Sequence, residues 1–310
     1  MQSHSNTSDI NAQWAFQHYE SIRHTLPRAA FPQTSMWVNG LADVAQHFDV
    51  FLLDAFGVLN VGQTAIKSAP AAVKYLQSAG KKVMVLTNGA SLPAFEAQQK
   101  LQKMGFNFAL HNIVASRDAL CKGLIAAFPQ PQDACLWGVM AGPDSQLLTL
   151  PVHSLALGNA IEVFDQVSGF ILLGASHWTP HQQNLLVQSL TQNPRPVWVG
   201  NPDLVAPREH DFSLEPGYFA HQLSHIAGVT LHFFGKPFAN IYQLAGANLE
   251  HIAKQRILMV GDTLHTDILG GAAYGLKTAL VTGHGLFANQ DTAPYISQSG
   301  IVPDFIMHSP

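Results

Sequence analysis

The sequence predicts an α/β protein built on a doubly wound parallel sheet, with a second α/β unit inserted into it. Three observations carry this. Short, almost unbroken apolar runs alternate with helical patterns in an early and a late block of the chain. Such runs fit strands covered on both faces, as in parallel sheets. A middle stretch shows an alternation of its own, and the 310 residues exceed what one core usually fills, about 250–300.

The elements follow in order. Trp14, Phe16, Tyr19 and Ile22 fall at loose helical spacing, and so do Trp37, Leu41, Val44 and Phe48. Residues 49–53 then form an apolar run that ends at Asp54. A helix is expected over 69–79, stopped by Gly80, and a strand over 82–86, ending at Thr87-Asn88. A further helix is expected over 93–104, stopped by Gly105. In the middle region, 134–139, 170–173 and 197–199 read as strands and 180–190 as a helix. Late in the chain three more apolar runs appear. Residues 231–234 precede Gly235-Lys236-Pro237, 257–260 precede Gly261-Asp262, and 278–281 precede Thr282-Gly283. The resulting division is an N-terminal helical extension over 1–45, a core over 46–117 and 204–310, and an inserted α/β unit over 118–203.

Composition narrows the class. Apolar residues make up 47 % of the chain, which excludes disorder as a whole, and charged residues only 12 %. A net charge of −4 provides no basic field for nucleic acid or an anionic membrane. Cys121 and Cys135 cannot build a disulfide framework and suit a reducing compartment. No apolar run approaches the roughly 18 residues of a membrane span. The polar N-terminus lacks the apolar core of a secretion signal, so the expected location is the cytoplasm.

Four of the apolar runs end in polar groups: Asp54, Thr87-Asn88, Lys236 and Asp262. Open parallel sheets bind ligands outside the carboxyl ends of their strands, so these residues are expected to converge in one crevice. Two carboxylates, a hydroxyl, an amide and an ammonium suit a phosphate and a hard divalent cation such as magnesium. A carboxylate can also serve as nucleophile and carry an aspartyl-phosphate. Each residue alone has a plainer reading. Asp54 would be an N-cap or turn former, Thr87-Asn88-Gly89 a turn, and Lys236 a solvated lysine. Asp262 and Asp267 would be the cap and first-turn acid of one helix. Their joint placement and chain order favour the site.

In that order, Asp54-Ala55-Phe56-Gly57-Val58-Leu59, Val85-Leu86-Thr87-Asn88, Gly235-Lys236-Pro237 and the stretch from Met259 to Gly271 resemble the four motifs of the haloacid dehalogenase (HAD) superfamily. The long last motif, with Asn201-Pro202-Asp203 and Pro216-Gly217, is similar to the NagD-like class IIA branch, which includes sugar-phosphate, nucleotide and p-nitrophenyl phosphatases. The resemblance covers roughly residues 45–310 and implies a Rossmann-like HAD core with a cap inserted between the second and third motifs. It implies Asp54 as nucleophile and Mg2+ ligand, the backbone carbonyl of Phe56 and Asp262 as further ligands, and Asp267 as support for the metal or for Lys236. Thr87 and Lys236 would hold the transferring phosphoryl group, assisted by Asn88, with Asn201 and Asp203 near the substrate. The implied partner is a small phosphate ester, a sugar phosphate or nucleotide-like metabolite. Caps of this branch often self-associate, so a homo-oligomer stays open.

One position departs from the pattern. The phosphatases of the family carry a second Asp two residues after the nucleophile, as acid and base; here it is Phe56. Positioned acid–base catalysis contributes about 10²–10⁴-fold, so turnover is expected to be slow unless Asn60, His265 or His177 substitutes. Phe56 also leaves two rival readings open: a protein that binds a phosphorylated ligand without turnover, and a metal-independent 2-haloacid dehalogenase, whose first motif carries an aromatic there. Asp262 and Asp267 argue against the latter. His177 and His181 have the i, i+4 spacing of a helical metal pair, but Pro180 opposes a helix across both unless it begins there. Cys121, Cys135, Trp137, Phe170, Trp178 and Trp198 read as core.

Overall fold

The computed structural model describes residues 10–129, 135–209, 211–247 and 249–310. The first nine residues of the expected extension, and Ala134 at the start of an expected strand, lie outside these. The strands in chain order are β1 (Met36–Trp37), β2 (Val50–Leu53), β3 (Asn60–Val61), β4 (Thr64–Ala65), β5 (Lys82–Thr87), β6 (Ile113–Ala115), β7 (Trp137–Met140) and β8 (Ser154–Ala156). They continue as β9 (Gly169–Leu172), β10 (Val197–Val199), β11 (Val205–Pro207), β12 (Phe212–Leu214), β13 (Leu231–Phe233), β14 (Ile257–Gly261), β15 (Lys277–Val281) and β16 (Phe305–Met307).

Seven strands form one parallel sheet in the order β1-β16-β15-β14-β2-β5-β6. Strand alternation sends Phe51 and Leu53 of β2 to one face and Val50 and Leu52 to the other. The first face is covered by the helix Ala69–Ser78, through Ala69, Val73 and Leu76 at helical spacing. The second is covered by the helix Ala239–Gly246, through Ile241, Tyr242 and Ala245. Burial on both faces is why these strands read as continuous apolar runs. β2 and β14 lie side by side, with Leu53 opposite Val260, so Asp54 and Asp262 leave the same sheet edge.

A second parallel sheet has the order β13-β10-β9-β7-β8. Its core holds Phe170 in one cluster, with Trp178 packed against it, and Trp137 and Trp198 in another. Cys121 and Cys135 pack beside the latter cluster as free thiols. The helix Pro180–Gln192 begins at Pro180 with Thr179 as its cap. His177 therefore precedes the helix and does not share a face with His181.

Two expectations are corrected here. Residues 231–233 pair with β10 in the second sheet rather than returning to the first. Apolar periodicity marks a strand but does not say which sheet receives it. Trp37, expected on a helix with Leu41 and Val44, lies in β1 at the edge of the first sheet, and the helix is confined to Leu41–Val44. Gly40 separates the two pieces. The N-terminal helix Ala12–Ser21 forms as expected, capped by the Asn11 side chain, and buries Phe16 against Leu264, Ile268 and Phe287. No helix among the described residues is long and apolar enough to cross a membrane.

Candidate active site

Asp54 follows directly on β2, and its backbone N–H donates to Val260 O at 2.9 Å, which ties it to β14. The turn that follows depends on Gly57, whose φ of +76° is open to glycine; a Cβ there would also meet the Asp262 side chain. Asp262, just past β14, accepts from Leu286 N–H at 2.7 Å and from the Thr263 hydroxyl at 3.0 Å. Next comes one turn of π-helix, Leu264–Ile268, which aims Asp267 back under the strand ends. Asp267 Oδ2 accepts from Thr263 N–H at 3.1 Å.

Lys236 enters from the far side of this cluster. Its Nζ lies 2.6 Å from Asp54 Oδ1 and 2.7 Å from Asp267 Oδ1, and the residue is 1 % exposed. One carboxylate oxygen from each of Asp54, Asp262 and Asp267 falls within 4.8 Å of the others. Three buried carboxylates thus meet one buried ammonium. Burial pushes the Asp54 carboxyl up to about 7, opposed by Lys236 and reinforced by Asp267. Burial, then the neighbouring Asp267 and Asp54, push Asp262 well above the usual carboxylate range. Burial would lower the Lys236 ammonium, but Asp267, Asp54 and Asp203 outweigh it and hold it above its ordinary value. Ionising all three acids beside one ammonium therefore calls for a further cation.

Asn88 is expected to assist the phosphoryl group through its backbone or its amide, and the amide is engaged elsewhere. Its Nδ2 donates to Asp203 Oδ1 and to Lys236 O, both at 2.8 Å, and its Oδ1 accepts from Lys236 N–H at 2.7 Å. The side chain is a tie between three loops, which leaves its backbone as the group that can face a ligand. Thr87, at the end of β5, accepts from Gly89 N–H at 3.1 Å and lines the cavity. Asn201 accepts from Asp203 N–H at 3.0 Å and donates to Glu215 Oε2 at 3.1 Å. Burial pushes Asp203 up to about 7 against the pull of Lys236 and Asn88.

These residues open on a cavity of about 220 Å³. Its lining includes Asp54, Phe56, Thr87, Asn88, Asn201, Asp203 and Asp262. Asn60 also lines it, with its amide donating to Gly62 O at 2.9 Å. His265 and His177 are not part of the lining. His265 is turned into the N-terminal helix, where it meets Glu20 at 2.5 Å and stacks on Tyr19 at 5.0 Å between ring centroids. Lys100, Arg208 and Glu215 line the cavity although the sequence reading did not single them out. Lys100 shares a helical face with Ala97 and Leu101, and Glu215 directly precedes the Pro216-Gly217 pair. Arg208 lies in the turn after β11 and carries no sequence signal of its own.

Comparison with known proteins agrees with this geometry. A family model described as haloacid dehalogenase-like hydrolase matches residues 51–146, and a second, HAD-hydrolase-like, matches residues 233–307. Human glycerol-3-phosphate phosphatase is 27 % identical over 292 residues, covering 87 % of this chain and 89 % of the relative. A possible sugar phosphatase of the HAD superfamily from Cytophaga hutchinsonii superposes with a TM-score of 0.76 at 27 % identity, over 89 % of this chain and 98 % of its own. A glycerol phosphate phosphatase from Mycobacterium tuberculosis, solved in complex with calcium, has a TM-score of 0.61 at 20 % identity, over 78 % and 68 %. The two matched spans hold the strand ends that meet at Lys236, and the chain belongs to the haloacid dehalogenase-like hydrolases.

Proposed function

We propose that the protein is a divalent-cation-dependent phosphatase of small phosphate esters, with Asp54 as the nucleophile. The observation that carries this is the ion cluster at the strand ends, where Lys236 Nζ lies within 2.7 Å of two carboxylates and Asp262 stands beside them. Three carboxylates against one ammonium leave two negative charges in a buried site, and all the donors are hard oxygens. That set fits magnesium. Asp54, Asp262 and the Phe56 carbonyl would hold it. Asp267, with one oxygen on Lys236 and the other on Thr263 N–H, supports the lysine beside it. When bound, the cation would supply charge neutralisation at the phosphoryl oxygens. The calcium found with the Mycobacterium tuberculosis structure supports a divalent ion here.

The chain's own residues account for the transfer. The ionised Asp54 attacks phosphorus in line with the ester oxygen, forming a carboxyl O–P bond as the ester P–O bond breaks. Lys236 and Thr87 stabilise the oxygens of the phosphoryl group in flight. The leaving alkoxide takes its proton from solvent, because Phe56 has none to give. Water then attacks the phosphoryl group on Asp54, releasing inorganic phosphate and restoring the carboxylate. The cavity, at about 220 Å³, falls below the roughly 300–1,000 Å³ of sites for drug-sized ligands, which favours a small ester. The names of the human and Cytophaga hutchinsonii relatives support a glycerol or sugar phosphate.

Hydrolysis of p-nitrophenyl phosphate tests the reading. Activity is expected with Mg2+, and Asp54→Asn is expected to abolish it. Undiminished activity in excess chelator would remove the cation from the scheme. Phe56 supports a second reading, a binder of phosphorylated ligands with negligible turnover; saturable binding of an ester without phosphate release would favour it.

A further inference from the structure

Phe56 does more than vacate the position of an acid. The Lys100 ammonium, from the helix Ala94–Lys103, lies 5.2 Å from the centroid of its ring. The Arg208 guanidinium, from the turn after β11, lies 5.3 Å from the same centroid. A cation over a ring is drawn to its negative face, and more strongly where water is excluded. Both cations line the cavity that holds Asp54 and Thr87. Two like charges gathered over one ring repel each other. Burial and then the Arg208 charge lower the Lys100 ammonium, and only Glu209 pulls the other way.

Arg208 is ion-paired with Glu215 and oriented by it. Its Nε donates to Ser213 Oγ and its Nη2 to Glu215 Oε1, both at 2.9 Å. Nη1 has no acceptor among the described residues. Among the described residues, Lys100 Nζ has one hydrogen-bond contact, at 3.4 Å to the Gly62 carbonyl. Donors remain on both cations, and both sit over the loop that carries the nucleophile. Resting on the phosphatase reading, we infer that Lys100 and Arg208, seated on the Phe56 ring, form a subsite for a second anionic group of the substrate. The substrate class is then a small phosphate monoester that also bears a carboxylate or a second phosphoryl group. One oxyanion placed between the two cations relieves their repulsion and takes the vacant donors, whereas a neutral hydroxyl relieves neither. The aromatic side chain is the contact that the two cations share.

The test compares matched esters. 2-Phosphoglycerate and glycerol 2-phosphate differ by a carboxylate against a hydroxymethyl group, and propane-1,3-diol bisphosphate against its monophosphate gives the phosphoryl arm. The wild-type protein is expected to show a KM at least about tenfold lower for the doubly anionic member of a pair, a preference that shrinks with added salt. In Lys100→Met and Arg208→Met, folded by circular dichroism, the KM ratio within the pair is expected to fall toward one. Calorimetric binding of the same esters to Asp54→Asn reads the subsite without turnover. Equal KM and equal affinity within both pairs, or variants that keep the wild-type ratio, would overturn the subsite. Failure to hydrolyse any ester, with the binding preference intact, would instead overturn the phosphatase reading and leave the subsite standing. The arm with the larger ratio identifies the second group.

Discussion

At the scale of single residues, the proposed chemistry turns on Phe56 and Lys236. With no proton donor at position 56, the rate depends on how well the alcohol leaves by itself. Phe56→Asp is therefore expected to raise kcat on alkyl phosphates by as much as about 10²-fold, and by less on p-nitrophenyl phosphate. The slope of log kcat against the leaving-group pKa should become shallower, and a slope that does not move would show that another acid already serves. The same variant removes the platform under Lys100 and Arg208 and supplies them with a carboxylate, so its KM for doubly anionic esters should rise. Lys236 is bonded to both Asp54 and Asp267. Lys236→Met leaves those carboxylates buried and facing each other, which typically costs about 3–5 kcal/mol. Urea denaturation at neutral pH should show that loss, and mild acid should recover part of it by protonating a carboxylate. These two residues were named from the sequence, since each sits in a motif at a strand end. Lys100 and Arg208 were not, because they come from a helix face and a hairpin turn that meet over Phe56 only in the folded chain.

At the scale of elements, the N-terminal helix Ala12–Ser21 braces the site from outside. Its Tyr19 hydroxyl accepts from Leu204 N–H at 3.1 Å, one residue beyond Asp203, and its Tyr19 ring stacks on His265 in the π-helical turn. One helix thereby fixes the loop that carries Asp203 and the turn that carries Asp267. Tyr19→Phe keeps the stacking but leaves the buried Leu204 N–H unpaired, a cost of about 1–3 kcal/mol. A thermal melt should register it, and KM should rise more than kcat falls if the loop at 201–204 is what loosens. The helix itself was legible from the spacing of Trp14, Phe16 and Tyr19. Its use was not, because side-chain periodicity shows that a face is buried without showing what it is buried against. The same limit explains β13: an apolar run beside Gly235-Lys236-Pro237 reads as a core strand, yet it joins the second sheet because its free neighbour there is β10.

At the scale of the whole molecule, buried charge makes stability depend on pH and on the cation together. The carboxyls of Asp54 and Asp203 rise from 3.8 to about 7 on folding, first through burial. Between those values the folded chain holds protons that the unfolded chain has lost, so their contribution destabilises the cation-free protein as pH rises through that window. His221, lowered from 6.5 to about 4 mainly by burial, works in the opposite sense between about 4 and 6.5. Lys236 stays protonated in both states throughout. The histidine contribution cancels when the same pH is compared with and without cation. The gain in Tm on adding Mg2+ over chelator is therefore expected to grow as pH rises toward about 7. A gain independent of pH would mean that the ion binds away from Asp54.

The sequence by itself determined the architecture and the centre of the site. Continuous apolar runs fit strands covered on both faces, and the polar residues at the carboxyl ends of β2, β5 and β14 share one edge of a parallel sheet, so Asp54, Thr87 and Asp262 could be read as neighbours; Lys236 reaches them from beyond a strand of the second sheet. Only the tertiary structure decided what surrounds that centre. It turned Asn88 inward as a tie, removed His177 and His265 from the cavity, and set Lys100 and Arg208 over one ring. The physical reason is that strand-end residues inherit their position from backbone pairing, which leaves a pattern along the chain. Groups on a helix face, a hairpin turn and a distant loop meet through packing, which leaves none.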